Sequence, residues 1–308
     1  MTHRFAILCP GQGGQNASMF DLASSDQNAA DALRRWLPDT FFGISLAHIL
    51  SDDSLMFSNR VAQPLIVAAT LATWEALKNF VPRPSLIAGY SIGEIAAYGV
   101  AGALTAADAI NLAASRARLM DDCVDVSCGQ SMIAVSGLRK DVMTELAQRH
   151  GLYIAIETDD DSFVVGGLSS QIVEVERTAS QLGGRSNLLS VKIASHTPLM
   201  HGALIPFADV LRNSNFGDPE IPVLSGIDGS PVYKKQRALL TLTRQLTEKI
   251  CWVNCMDACA EAGITIVLEL GPGSALSRML RKRHPHMECR SVADFRTIKG
   301  IATWLARV

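Results

Sequence analysis

The stretch "LIAGYSIGEIAAYG", residues 86–99, sets one serine, Ser91, between two glycines, after an apolar run and ahead of a helix-like one. Gly89-Tyr90-Ser91-Ile92-Gly93 fits the G-x-S-x-G elbow, in which a strand turns sharply into a helix. Such a turn leaves no room for side chains two positions before and two after the serine, and the serine takes a strained conformation. Its hydroxyl then stands exposed at a helix N-terminus, where free amides and the helix dipole favour developing negative charge. The five-residue pattern alone occurs by chance in many chains. A strand before it and a helix after it make Ser91 a candidate nucleophile rather than a small polar residue in a turn.

Outward from the elbow, short apolar strands alternate with helical patterns, which predicts a layered α/β body with a parallel sheet. "RFAILCPG" reads as a first strand that enters the Gly-rich turn "PGQGGQ" at 10–15. "SNRVAQPLIVAATLATWEALKNF" has helical periodicity, and the helix after the elbow breaks near Gly102 before a second one. Between 128 and 196 the texture changes to strand, helix, strand, strand, helix, strand, ending on "SNLLSVKIAS". The order βαββαβ is the ferredoxin-like motif. It is inserted in the body, because α/β texture resumes with "IPVLSG", "ITIVLELGPG" and "GSALSRMLRKRH". The expected division is therefore a catalytic body of 1–127 and 197–308 around an insert of 128–196.

The bulk numbers fit this reading. The 308 residues are 48% hydrophobic and 19% charged, with a net charge of −2, so no nucleic-acid footprint is expected. No apolar run approaches the ~18–20 residues that span a bilayer, and the N-terminal run lacks the cleavage site of a signal peptide. Seven cysteines without framework spacing suit a reducing cytoplasm. Cys251, Cys255 and Cys259 fall at i, i+4 and i+8 of a helical pattern, as buried small side chains or, less simply, as thiolate metal ligands.

A nucleophilic serine needs a base and an oxyanion site. In "IASHTPLMHGAL", Pro198 suits the first turn of a helix, which leaves His196 on the loop before it, where catalytic groups of α/β proteins gather. His201 falls one turn inside that helix. The "PGQGGQ" turn lacks the nucleotide-binding glycine patterns. Its Gln12 main-chain amide, opposite that of Ile92, is a candidate oxyanion donor.

Taken together, the chain resembles the malonyl-CoA:acyl-carrier-protein transacylase family over nearly its whole length. "PGQGGQ" resembles the family's PGQG-x-Q opening, and "AGYSIGEIAAYGVAGAL" its GHSxGE elbow. "ASHTPLM" resembles its SHxxLM motif with the catalytic histidine, here His196, and "LELGPGSAL" its late strand–GPG–helix. "ASRARLM" resembles the segment with the carboxylate-binding arginine 25 residues after the serine, here Arg116. By composition alone Arg116 would pass as a solvated helical charge, but a planar guanidinium grips a carboxylate through two charge-assisted bonds. "RQLTEKICW" resembles the segment whose Gln, seven residues before a Trp, orients the histidine through its carbonyl; Gln245 and Trp252 match.

The resemblance implies malonyl transfer from malonyl-CoA to the phosphopantetheine-type thiol of an acyl carrier protein, through a malonyl-serine ester, with no metal or redox cofactor. Two departures, Tyr90 in place of His and "TDDDSFVVGGL" in place of an NxPxQ-type run, look more like the epsilon subunit of bacterial malonate decarboxylase. That branch implies the carrier and other subunits of that complex as partners. The alternatives are a transacylase of fatty acid or polyketide synthesis, a serine thioesterase, and a non-catalytic carrier-docking subunit. Two basic stretches, Arg278, Arg281, Lys282 and Arg283, and Lys234, Lys235 and Arg237, read either as a solvated helix end or as a dock for an acidic carrier.

Overall fold

The five residues Phe5–Cys9 are all apolar and all buried, because the strand they form is covered on both faces. Phe5, Ile7 and Cys9 point into one core cluster, Ala6 and Leu8 into another, as the two-residue strand period requires. The computed structural model describes residues 4–37, 43–125 and 127–307. The described strands, in chain order, begin with β1 (Phe5–Cys9), β2 (Leu86–Gly89), β3 (Gln130–Ser136), β4 (Tyr153–Asp159), β5 (Ser162–Leu168) and β6 (Arg185–Leu188). They continue with β7 (Val223–Leu224), β8 (Pro231–Val232), β9 (Ile250–Cys251), β10 (Ile266–Glu269) and β11 (Glu288–Ser291).

The body is built on a six-stranded sheet of order β11-β10-β1-β2-β7-β8, parallel except for the β7–β8 pair. Against it lies the helix Asn59–Leu77, apolar all round and buried over most of its length, the signature of a core helix. The βαββαβ insert forms a second sheet of order β6-β3-β5-β4-β9. Its Ile133, Val135, Phe163 and Val165 face its own two helices. The alternate residues, Met132 and Val164, face the body, in a cluster with Leu8, Leu224 and Trp252. The α/β body and ferredoxin-like insert are thus as expected.

Two features differ from the sequence reading. The run "SNLLSVKIAS" predicts one long strand, whereas β6 ends at Leu188. Leu189 still donates its amide to Met132; beyond it Val191 and Ile193 pack into the body core, so the alternating pattern serves a crossing rather than a ladder. The insert's sheet also takes a fifth strand from outside 128–196: β9 pairs parallel with β4 through Ile156↔Ile250 and Glu157↔Cys251. That pairing ties the segment carrying Gln245 to the insert.

The elbow is where β2 meets the helix Gly93–Val100. A Cβ on Gly93 would lie 2.2 Å from the Cys9 carbonyl oxygen, and one on Gly89 2.3 Å from the Glu94 amide nitrogen. Both neighbours are backbone, so neither contact relaxes without moving a central strand. Gly93→Ala is expected to cost about 3 kcal/mol or more of stability, read as a shifted denaturant midpoint at unchanged slope.

Candidate active site

Among the described residues only two non-glycines have positive φ, Ser91 at 55° and His196 at 62°. Left-handed backbone at such residues costs of order 1–3 kcal/mol each and persists where the surroundings impose it. The surroundings here do so. The close approach of Gly93 to β1 forces the turn at Ser91, and the His196 amide is tied to the Leu246 carbonyl at 2.9 Å.

The two strained residues meet. Ser91 Oγ lies 2.7 Å from His196 Nε2, and His196 Nδ1 lies 2.5 Å from the Gln245 main-chain oxygen. A carbonyl can only accept, so Nδ1 carries the proton and the Nε2 lone pair accepts from the serine hydroxyl. Burial first, and the nearby Arg116 charge second, press His196 down to about 3, against a smaller upward pull from the Gln245 carbonyl. The imidazole is therefore neutral and able to take a proton throughout the physiological range.

Arg116 is buried, 2% exposed, on the helix Ala106–Asp121. Its guanidinium donates to two amide oxygens, Gln63 Oε1 at 2.7 Å and Gln245 Oε1 at 3.2 Å. Burial lowers it to about 10, and Glu94 pulls the other way, so it stays a cation at neutral pH. Among the described residues its charge has amide partners and no carboxylate in direct contact, and it lines the same cavity as Ser91 and His196. That cavity, about 660 Å³, has Gln12 on one wall and Met132, Ile156 and Val164 of the insert on another.

The Gln12 and Ile92 main-chain amides have no acceptor among the described residues. Both belong to turns beside Ser91, the Ile92 amide at the N-terminus of the elbow helix. Tyr90 packs edge-on against Trp252, ring centroids 5.3 Å apart. His201 lies on the 3₁₀ helix Pro198–Ala203, exposed. Cys255 and Cys259 are buried on the helix Trp252–Glu261, with Cys251 capping it, and burial raises the Cys255 and Cys259 thiols.

The sequence reading missed Asn59, Gln63 and Glu94. Gln12 Nε2 and Gln63 Nε2 both donate to Asn59 Oδ1, at 3.0 and 2.7 Å. Gln245 Nε2 donates to Glu94 Oε2 at 2.6 Å. Amides thus run without a gap from the Gly-rich turn to Arg116 and on to the histidine's support. Signals existed: a polar Gln-Pro step inside the apolar run "VAQPLIVAAT", and the glutamate that closes "GYSIGE".

The basic stretches are less free than their composition implied. Lys282 pairs with Asp159, Arg283 with Asp159, Asp160 and Asp257, Lys234 with Asp218 and Arg237 with Asp228. These charges are spent within the fold. A dock made of the whole of either stretch is not what the structure presents.

Beside a buried guanidinium that lines the same cavity, a hydroxyl hydrogen-bonded to a neutral imidazole at a helix N-terminus is an arrangement suited to a serine nucleophile with its general base. The α/β body with its ferredoxin-like insert carries it at the ends of β2 and the segment after β6. The chain belongs to the acyl transferase domain family, which matches residues 6–289. It is 30% identical over 293 residues to the malonyl CoA-acyl carrier protein transacylase of Mycobacterium tuberculosis, covering 93% of this chain and 95% of that one. It is 34% identical over 295 residues to polyketide synthase GfsA of Streptomyces halstedii, covering 91% of this chain and 4% of that protein. The solved structure of MCAT from Mycobacterium tuberculosis superposes with a TM-score of 0.89 at 30% identity, over 97% of this chain and 100% of that one.

Proposed function

We propose that this chain moves a malonyl group from malonyl-CoA to the prosthetic thiol of an acyl carrier protein through a malonyl-Ser91 ester. The observation that carries the reading is one cavity lined by the Ser91–His196 pair and by Arg116, a buried cation whose hydrogen-bond partners among the described residues are amides. His196 Nε2 takes the Ser91 proton as Oγ attacks the thioester carbon. The oxyanion lies between the Gln12 and Ile92 amides, a contribution of about 3–4 kcal/mol for each such donor. The C–S bond breaks, CoA leaves as the thiol with the proton from His196, and Arg116 holds the free carboxylate. The carrier thiol then attacks with the same base and regenerates Ser91. Neither step changes an oxidation state, so neither calls for a redox group.

The test is incubation with malonyl-CoA and a holo carrier protein, read by the carrier's intact mass. A malonylated carrier is the expected product. CoA release with an unmodified carrier and free malonate would point to a thioesterase, and no CoA release at all to a docking subunit. For the finer assignment, Tyr90 and the stretch 158–168 support the malonate decarboxylase branch, and the relatives named above support fatty acid or polyketide synthesis. Carrier exchange separates them: the cognate carrier shows the higher kcat/KM while acylation of Ser91 is unchanged.

A consequence follows for pH. With His196 at about 3, acetylation of Ser91 by acetyl-CoA is expected to stay level from about pH 5 to 8, because the base is neutral throughout. A stopped-flow acylation series checks this; an acid limb near pH 6.5 would mean that the imidazole is more solvated than its burial implies.

A further inference from the structure

Gln245 joins four residues. Its main-chain oxygen meets His196, its side-chain Oε1 accepts from Arg116, and its Nε2 donates to Glu94. Nε2 also lies 3.4 Å from the Ser91 carbonyl oxygen. Glu94 follows the elbow on the helix Gly93–Val100 and is 1% exposed. Its Oε2 also accepts the Gly226 amide at 3.0 Å, and its Oε1 has no partner among the described residues.

An amide side chain has one donating and one accepting end. An ionised Glu94 only accepts, so it holds the Nε2 end toward itself and the Oε1 end toward the Arg116 guanidinium. A protonated Glu94 has a hydrogen to donate. The amide is then free to turn over, which would face its NH2 against the donors of Arg116.

We propose that Glu94 is a positioning residue for the substrate carboxylate: its ionised form fixes the Gln245 amide, and that amide aims Arg116 into the cavity. The inference rests on the malonyl-transfer reading given above.

The balance of charge around Glu94 places its titration in the range that matters. Burial raises it to about 7, opposed by the Gly226 amide, the Gln245 side chain and the Arg116 charge, and aided by Asp228. Asp228 is itself paired with Arg237. The other titratable groups facing this spot, Tyr98 on the same helix and Cys255 on the helix Trp252–Glu261, have burial-raised protons and stay neutral. Arg116 at about 10 and His196 at about 3 hold their charge states across neutrality.

The experiment is the kcat/KM for acylation of Ser91 by malonyl-CoA divided by that for acetyl-CoA, from about pH 5.5 to 9, in the wild type and in Glu94→Gln. Both donors share the CoA moiety and the base, so the ratio isolates the carboxylate site. The wild-type ratio is expected to rise roughly tenfold through neutrality, carried by KM, about what one good charge-assisted hydrogen bond supplies. In Glu94→Gln, whose side chain cannot ionise, the ratio is expected to be independent of pH.

A flat wild-type ratio overturns the proposal, and so does the same rise in Glu94→Gln, since another group would then be titrating. A side chain that merely fills space would change both donors alike at every pH, which also counts against it. Should Glu94→Gln not fold, the wild-type profile decides alone, a rise supporting the proposal and a flat line ending it. Failure of both donors to acylate Ser91 would instead refute malonyl transfer.

Discussion

Ser91→Ala carries no malonyl group after exposure to malonyl-CoA, and its transfer rate falls by roughly 10⁴-fold or more, as loss of a covalent nucleophile does elsewhere. The substitution deletes one oxygen atom, the partner of His196 Nε2 at 2.7 Å. Alanine takes the 55° φ of this position at much the same strain as serine, so the melting temperature is expected to move little. The Gln12 and Ile92 amides and Arg116 remain, and malonyl-CoA still binds. Intact-mass spectrometry and equilibrium binding on one sample therefore separate chemistry from recognition. An adduct that survives Ser91→Ala would place the nucleophile elsewhere and undo the mechanism.

Arg116→Ala loses malonyl-over-acetyl preference by about 100-fold, equivalent to two factors of 1.36 kcal/mol. The loss falls on the malonyl arm, since an acetyl group has no carboxylate to hold. Stability falls as well. Removing the guanidinium leaves Gln63 Oε1 and Gln245 Oε1 without their donor, a loss of about 1–3 kcal/mol for each buried acceptor left unsatisfied. Arg116→Lys keeps the charge with a single donor head in place of the fork. It is expected to recover stability better than specificity. Competition between the two donors measures the preference, and chemical denaturation the stability; a preference that survives Arg116→Ala would assign the carboxylate to another group.

Much of this molecule is legible in its sequence. The elbow was readable because its geometry is local: two glycines, a strand and a helix are adjacent in the chain, and the clash at Gly93 is with the neighbouring strand any such turn must cross. His196 was readable from the Pro198 helix start, since that 3₁₀ helix begins at Pro198. The body-and-insert plan was readable because the burial period changes where the sheet changes.

For other residues the sequence shows that they are out of pattern but not what they meet. Glu94, Gln63 and Asn59 acquire meaning only from partners 151, 53 and 58 positions away. A polar residue in an apolar helix stands out in the sequence, but nothing local says whether it meets water or a guanidinium. The basic stretches misled in the opposite direction, because Asp159 at the end of β4 and Asp160 just after it, more than a hundred residues earlier, pair with Lys282 and Arg283, and Asp257 of a neighbouring helix pairs with Arg283 as well.

By itself, then, the sequence determined the layered fold and, by short-range pattern, made Ser91 and His196 the candidate nucleophile and base, while Arg116 came only from the family resemblance; the structure sets all three on one cavity. Tertiary structure alone decided the charge states. His196 is held neutral by burial, Arg116 stays cationic although burial lowers it, with the Glu94 charge pulling the other way, and Glu94 is raised to about 7. These depend on how much water is excluded and which dipoles remain within reach, quantities that arise only when distant segments pack together.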